Sequence, residues 1–136
     1  MFKKPSISEF ELVKTLAKKM ALDMSNLDRK QFIIRVVSRE IVGFIRIKEY
    51  GKIKELATLG VPRKFRKSGI GKSLIQYSQT LAPSFYLVTV IPEYFTKFGF
   101  KMVVNIPKEL KAKVQNRVLW EGYGNPVVMN WNSATI

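Results

Sequence analysis

Arg66-Lys67-Ser68-Gly69-Ile70-Gly71-Lys72-Ser73 sits between an apolar run, Leu56 to Val61, and a helix-like run, Gly69 to Leu81. A strand that feeds a glycine-rich turn and then a helix is a generic phosphate cradle. The first amides of the helix have no acceptor inside it, and the macrodipole makes that end positive. Gly69 and Gly71 let the backbone approach a ligand with no Cβ between them. The stretch therefore predicts a seat for a phosphorylated molecule. The plainer alternative is a tight turn carrying surface lysines.

Around that turn the periodicity alternates between strand and helix. Ser6 or Ser8 can cap a helix running to about Leu22, with Glu9 and Glu11 in its first turn and Phe10, Val13, Ala17 and Met20 at helical spacing. Phe32 to Val37 is an apolar, β-branched strand; Arg39-Glu40 makes a turn; Ile41 to Ile47 follows, with Gly43 a candidate bulge. Tyr50-Gly51 is a hairpin tip, and Lys52 to Val61 completes the meander. The helix from Gly69 is expected to bury Ile70, Leu74, Tyr77 and Leu81, and Pro83 stops it. Phe85 to Ile91 is a dense apolar strand, Pro92 opens a short helix over Glu93 to Phe98, and Gly99 is its left-handed cap. A strand over Phe100 to Asn105, a basic helix over Pro107 to Arg117 and a strand over Val127 to Trp131 end the chain. A helix between two strands of one sheet implies a parallel crossover. The expected fold is α+β: a mixed central sheet, mostly antiparallel, with a parallel crossover pair at a ligand cleft and helices flanking it. At 136 residues, a single domain over 1–136 is the natural count.

Composition narrows the chemistry. There is no cysteine and no histidine, which removes disulfides, thiolate and imidazole metal sites, a cysteine nucleophile and Ser-His-Asp machinery. Any base must be Glu, Asp, Lys, Tyr or a water chain, and no metal is expected. No apolar run approaches the roughly 20 residues of a membrane span, and no signal-peptide core follows Met1, so neither a membrane partner nor export is expected and the location is read as cytoplasmic. The net charge of +14 attracts anions, whether nucleic acid or a cofactor with several phosphates.

Two nucleotide motifs fail. Gly71-Lys72-Ser73 matches the end of a P-loop, but Arg66 stands where its first glycine belongs. The dinucleotide fingerprint needs three glycines and finds Gly69 and Gly71. The pattern that fits is Arg-x-x-Gly-x-Gly after a strand ending Leu59-Gly60-Val61-Pro62. Glu55 through Leu74 resembles the acetyl-CoA-binding segment of the GNAT superfamily of N-acyltransferases. Glu93-Tyr94-Phe95-Thr96-Lys97-Phe98-Gly99-Phe100 resembles the later GNAT helix that ends before Gly-Phe. Together the two cover about residues 52 to 104. From Asn105-Ile106-Pro107-Lys108-Glu109-Leu110 onwards the chain faintly resembles the N-acetylglutamate-synthase-like branch.

The resemblance implies an acetyl-CoA-dependent N-acyltransferase moving an acetyl group directly to a primary amine, with a small molecule such as an amino acid as acceptor. It implies that the CoA diphosphate meets backbone amides of Lys67, Ser68, Gly69, Ile70, Gly71 and Lys72, with Arg66, Lys67 and Lys72 adding charge and Ser73 closing the segment. It implies that the strand edge at Leu59, Gly60 and Val61 pairs with the pantetheine amides, and that Arg63, Lys64 or Lys72 meets the 3′-phosphate. Glu55 matches the general-base position and shares a strand face with Ala57 and Leu59. Its plain alternative is a surface Glu paired with Lys52 or Lys54. Phe95 occupies the place of the frequent family tyrosine, so Tyr94 becomes the candidate acid, although neighbouring helix side chains point about 100° apart. Tyr77, Tyr86 and Tyr123 are further hydroxyls. A homodimer is compatible with this reading. The alternatives are a CoA-binding scaffold with little catalysis, or a basic nucleic-acid-binding protein using Arg63 to Lys72 and Lys97 to Arg117, with Phe65, Phe98, Phe100 and Trp120 as stacking groups.

Overall fold

In the computed structural model, which describes residues 1–23 and 25–135, the strands are ordered β1-β2-β3-β4-β5-β7-β6. They comprise β1 (Phe2–Lys3), β2 (Phe32–Val37), β3 (Glu40–Tyr50), β4 (Ile53–Gly60), β5 (Ser84–Thr89), β6 (Lys101–Met102) and β7 (Val127–Asn132). The helices are α1 (Ile7–Lys19), α2 (Ile70–Ser78), α3 (Pro92–Thr96), α4 (Lys108–Gln115) and α5 (Arg117–Trp120). Strands β4 and β5 run parallel with Glu55 opposite Tyr86, while β1-β2, β2-β3, β5-β7 and β6-β7 are antiparallel. The mixed α+β sheet expected from the sequence is present. The chain forms two compact units, one of residues 1–48 and 56–81, the other of residues 49–55 and 82–136.

In the first unit, Ser6 caps α1 through a capping box: its Oγ accepts from the Glu9 amide, and the Glu9 carboxylate accepts from the Ser6 amide at 2.9 Å. The Ser6 backbone N–H, then Lys3, holds the Glu9 carboxyl below its ordinary value. The helix ends at Lys19, short of Leu22, and buries Val13 and Ala17 against Phe32, Ile34, Ile41 and Phe44. The β2-β3 turn is Ser38-Arg39, both left-handed, one residue earlier than expected, and β3 runs on to Tyr50. The bulge lies beside Gly43. The register slips between Arg35 and Val36, leaving Val42 as the extra residue. Glycine serves close packing at two places here. A Cβ on Gly43 would meet Ile70 at 2.7 Å and Leu74 at 2.9 Å, so its absence lets α2 lie on the sheet. A Cβ on Gly60 would strike the ring of fully buried Phe44, at 2.3 Å from Cζ. Helix α2 buries Ile70, Leu74, Ile75 and Ser78; Leu81, expected in its apolar stripe, lies beyond its end and is 47% exposed.

In the second unit, β7 inserts between β5 and β6, pairing with β5 from Ser84–Asn132 to Thr89–Val127. Phe85, Leu87, Phe100, Leu110, Met129 and Trp131 form its interior. Strand β5 buries alternate residues on one face and half-buries the other, rather than being fully covered on both. Gly99 takes the expected left-handed cap at φ +89°. The strand expected over Phe100–Asn105 shrinks to Lys101–Met102, and Val104 is almost fully exposed. The basic helix ends at Gln115, where Asn116 caps a separate short turn, α5, by accepting from the Leu119 amide.

Gly60→Ala is expected to lower stability by about 1–3 kcal/mol, because the added methyl must displace a ring with nowhere to go. A denaturant midpoint unchanged from the parent protein would show that Phe44 has room.

Candidate functional site

The candidate diphosphate seat lies wholly in the first unit. Strand β4 ends at Gly60, a short 3₁₀ turn follows over Arg63–Phe65, and Arg66 to Gly69 lead into α2. Val61 therefore lies just past the strand, where its carbonyl accepts from Arg66 Nε at 2.9 Å. Ser68 Oγ donates to the Phe65 carbonyl. Lys67 (φ +66°) and Gly69 (φ +80°) both adopt the left-handed region, which for a lysine is strained. The first intrahelical bond is Ser73 N–H to the Gly69 carbonyl, 3.0 Å, and no side chain caps the helix. The amides of Ile70, Gly71 and Lys72 thus have no acceptor in the helix. A Cβ built on Gly69 would meet nothing within 4 Å, so the space at the turn is open. An anion with several oxygens fits donors so arranged.

The charge around this seat is uneven. Arg66, Lys67 and Lys72 are exposed, whereas Lys64 is held by Glu40 and lies over the Phe65 ring. Ser73 is already committed, donating to the Ile70 carbonyl at 2.6 Å and accepting from an Arg35 Nη at 2.8 Å. Arg35 was not anticipated. It brings a cation to the first turn of α2, and its Nε is buried without a partner. The available signal was a charged residue inside the apolar strand Phe32–Val37.

The candidate proton-handling groups lie in the second unit. Glu55 is on the less buried face of β4, with Ala57 and Leu59, yet its side chain is fully buried. Tyr50 and Lys113 cover it: the Tyr50 hydroxyl donates to Oε1 at 3.0 Å and Lys113 Nζ donates to Oε2 at 2.5 Å. The alternative of a surface Glu paired with Lys52 or Lys54 is corrected: Lys54 pairs with Glu49, and Glu55 reaches across to α4. Lys113 is fixed from behind, because its carbonyl accepts from Trp120 Nε1 at 2.8 Å. Tyr86 is the cross-strand neighbour of Glu55. Tyr94, on α3, is half-buried and edge-on to Phe95 and Phe98 at 5.1 and 5.3 Å. Burial pushes its phenol above the ordinary 10. Of the remaining hydroxyls, Tyr77 stacks on Phe2 and Tyr123 is 62% exposed. Of the four aromatics considered for stacking on bases, Phe100 is buried and Phe65, Phe98 and Trp120 are half-buried.

A cavity of about 700 Å³ opens beside α4 and α5, lined by Val114, Gln115, Asn116, Arg117, Trp120 and Asn125 among others. Its polar lining is rich in donors, and no carboxylate contributes to it. Among the described residues, no group of acidic side chains could hold a metal ion, and no helix is long and apolar enough to cross a membrane.

A mixed sheet in which parallel β4 and β5 are joined through a glycine turn and the uncapped α2 is a GNAT-like fold. The model of the acetyltransferase (GNAT) domain matches residues 28–102, more than half of the chain, and the chain belongs to that family. No curated protein matches the chain by sequence. Among solved structures, it resembles N-acetylglutamate synthase from Neisseria gonorrhoeae complexed with coenzyme A and N-acetyl-glutamate, with a TM-score of 0.79 and 12% identity over 97% of this chain and 34% of that one. The chain thus spans about a third of that enzyme. It also resembles Rv2747 from Mycobacterium tuberculosis in complex with CoA (TM-score 0.72, 13% identity, 97% of this chain and 98% of that one). A third likeness is Arabidopsis thaliana Naa50 with a bisubstrate analogue, CoA-Ac-MVNAL (TM-score 0.65, 16% identity, 96% of both chains). At these identities the likeness is one of fold.

Gly71 has helical backbone, so a glycine there costs helix stability without meeting any need for positive φ. Gly71→Leu is expected to keep or raise the melting temperature of the free protein and to abolish the upward shift produced by CoA, which otherwise follows RT ln(1 + [L]/Kd). An undiminished shift would remove the first turn of α2 from the binding site.

Proposed function

We propose that this protein is an acetyl-CoA-dependent N-acetyltransferase that acetylates the primary amine of a small molecule carrying a carboxylate, an amino acid being the simplest case. The observation that carries the reading is the uncapped first turn of α2 after left-handed Gly69, with open space above it. The amides of Ile70, Gly71 and Lys72 would bind the diphosphate oxygens, and Arg66, Lys67, Lys72 and, through Ser73, Arg35 would supply positive charge. Leu59, Gly60 and Val61 would offer the strand edge to the pantetheine amides. Arg63 or Lys72 would meet the 3′-phosphate, since Lys64 is engaged by Glu40. When bound, acetyl-CoA supplies an acetyl group activated as a thioester.

The chain's own part is to manage protons. An ammonium has no lone pair, so the acceptor must lose a proton before it attacks, and Glu55 would be the carboxylate that takes it. The Tyr94 phenol, protonated at neutral pH and pushed further up by burial, would donate a hydrogen bond to the departing thiolate rather than a free proton. For the acceptor, the cavity beside α4 and α5 has the size of a small-molecule site and presents Arg117 with amide side chains and no acid. That lining suits a carboxylate. The +14 charge favours the same choice over polyamines. A cytoplasmic enzyme would meet both substrates there.

Glu55→Gln is expected to lower kcat by about 10²–10⁴-fold while leaving the CoA-induced melting shift in place, measured by thiol release over an amine panel. Equal turnover would take Glu55 out of the mechanism. Arg117→Gln is expected to raise KM for amino acids by roughly 10–100-fold, the worth of one charge-assisted hydrogen bond, and to leave KM for the matching amino-acid amides unchanged. A parallel change for acids and amides would place the acceptor elsewhere.

A further inference from the structure

The amine nearest the candidate base belongs to the protein. Lys113 Nζ donates to Glu55 Oε2 at 2.5 Å, and the two side chains are 17% and 0% exposed. The pairs Lys3–Glu9, Lys14–Glu11, Lys54–Glu49 and Lys64–Glu40 lie at the surface, with side chains 24–66% exposed. Lys113 is also held in place: Leu110 anchors α4 in the interior of the second unit, and Trp120 Nε1 bonds the Lys113 carbonyl. A tethered, partly desolvated primary amine on the proposed base has the proton path that an acetyl acceptor needs. Tethering also removes much of the entropic cost of bringing amine and base together.

We propose that Lys113 Nζ is acetylated by the protein's own active site. The inference rests on the assignment of Glu55 as base and acetyl-CoA as donor. One Nζ proton passes to Glu55, and the freed lone pair forms a bond to the acetyl carbonyl carbon. The carbon–sulfur bond breaks, the second Nζ proton ends on the CoA thiolate, and the proton on Glu55 goes to solvent. The product is a neutral amide, so the Glu55–Lys113 ion pair is lost. Modification thereby releases the carboxylate from its internal cation.

The test is peptide mass spectrometry of the whole chain after incubation with acetyl-CoA, with exposed Lys108 and Lys111 of the same helix as internal references. Lys113 is expected to fill at least tenfold faster than either reference, at a rate independent of protein concentration. In Glu55→Gln it is expected to slow to their level while they are unaffected. Should that variant fail to fold, saturation of the parent protein with an amine it turns over supplies the second readout, because competition for the base must slow Lys113. Acetylation of Lys113 no faster than of Lys111, in a preparation that shows the CoA melting shift and turns over amines, overturns the proposal alone. The same result without shift or turnover overturns the functional reading with it.

Discussion

Three amides at the start of α2 cannot be satisfied by the helix they begin, and much of the first unit follows from keeping them available. A serine or aspartate at the cap would have occupied one of them, as Ser6 does at the start of α1. Gly69 caps α2 in a left-handed conformation and brings no side chain to compete. The first turn of α2 also packs closely on the sheet. Glycine at 43 allows that, because any side chain there would meet Ile70 and Leu74. The strain at Lys67 is part of the same turn. Arg35 adds the electrostatic counterpart: a cation emerging from an apolar strand, bonded to Ser73, that deepens the positive potential already due to the helix end.

In the second unit the governing constraint is a buried carboxylate. A fully buried Glu must be paired or hydrogen-bonded, and Glu55 is both. Removing one partner of such a pair commonly costs about 3–5 kcal/mol, since the other charge is left in low dielectric. The position of α4 is therefore coupled to that of Glu55, with Leu110 and Trp120 providing the packing that makes the coupling rigid. The stability of this unit and the reactivity proposed for Glu55 draw on the same ion pair.

The sequence made the seat more legible than the chemistry. The turn at Gly69 and the helix start after it were legible from spacing alone, because both are local events. The elements from β2 through α2 were likewise readable from period and punctuation. What failed was non-local or marginal. Leu81 fits the α2 stripe but falls past the last helical turn. Phe100 to Asn105 is apolar enough for a strand, yet only Lys101 and Met102 pair with β7 in regular register. The two-residue strand β1 exists because Phe2 and Lys3 find Arg35 and Ile34, which no local pattern reveals. Lys113 was one cation among many in a basic segment, 58 residues from its partner. Tyr50 was legible as a hairpin tip and not as a donor to Glu55.

A protein of charge +14 is a poor place for an ammonium, and on the proposed reading the acceptor amine would arrive as one. Glu55 supplies the local exception: a carboxylate in low dielectric creates an attractive potential far stronger than a surface acid would. Lys113 already responds to that potential. On the proposed reading, an incoming ammonium would have to displace Lys113 to gain that attraction, and the carboxylate that recruits the acceptor would then also deprotonate it. In a chain without histidine or cysteine this economy is close to forced. The remaining proton acceptors are carboxylates, phenols and amines, and a carboxylate alone among them is both anionic and deprotonated at neutral pH. The cost is that any amine able to reach Glu55 competes for it, including the one carried by α4.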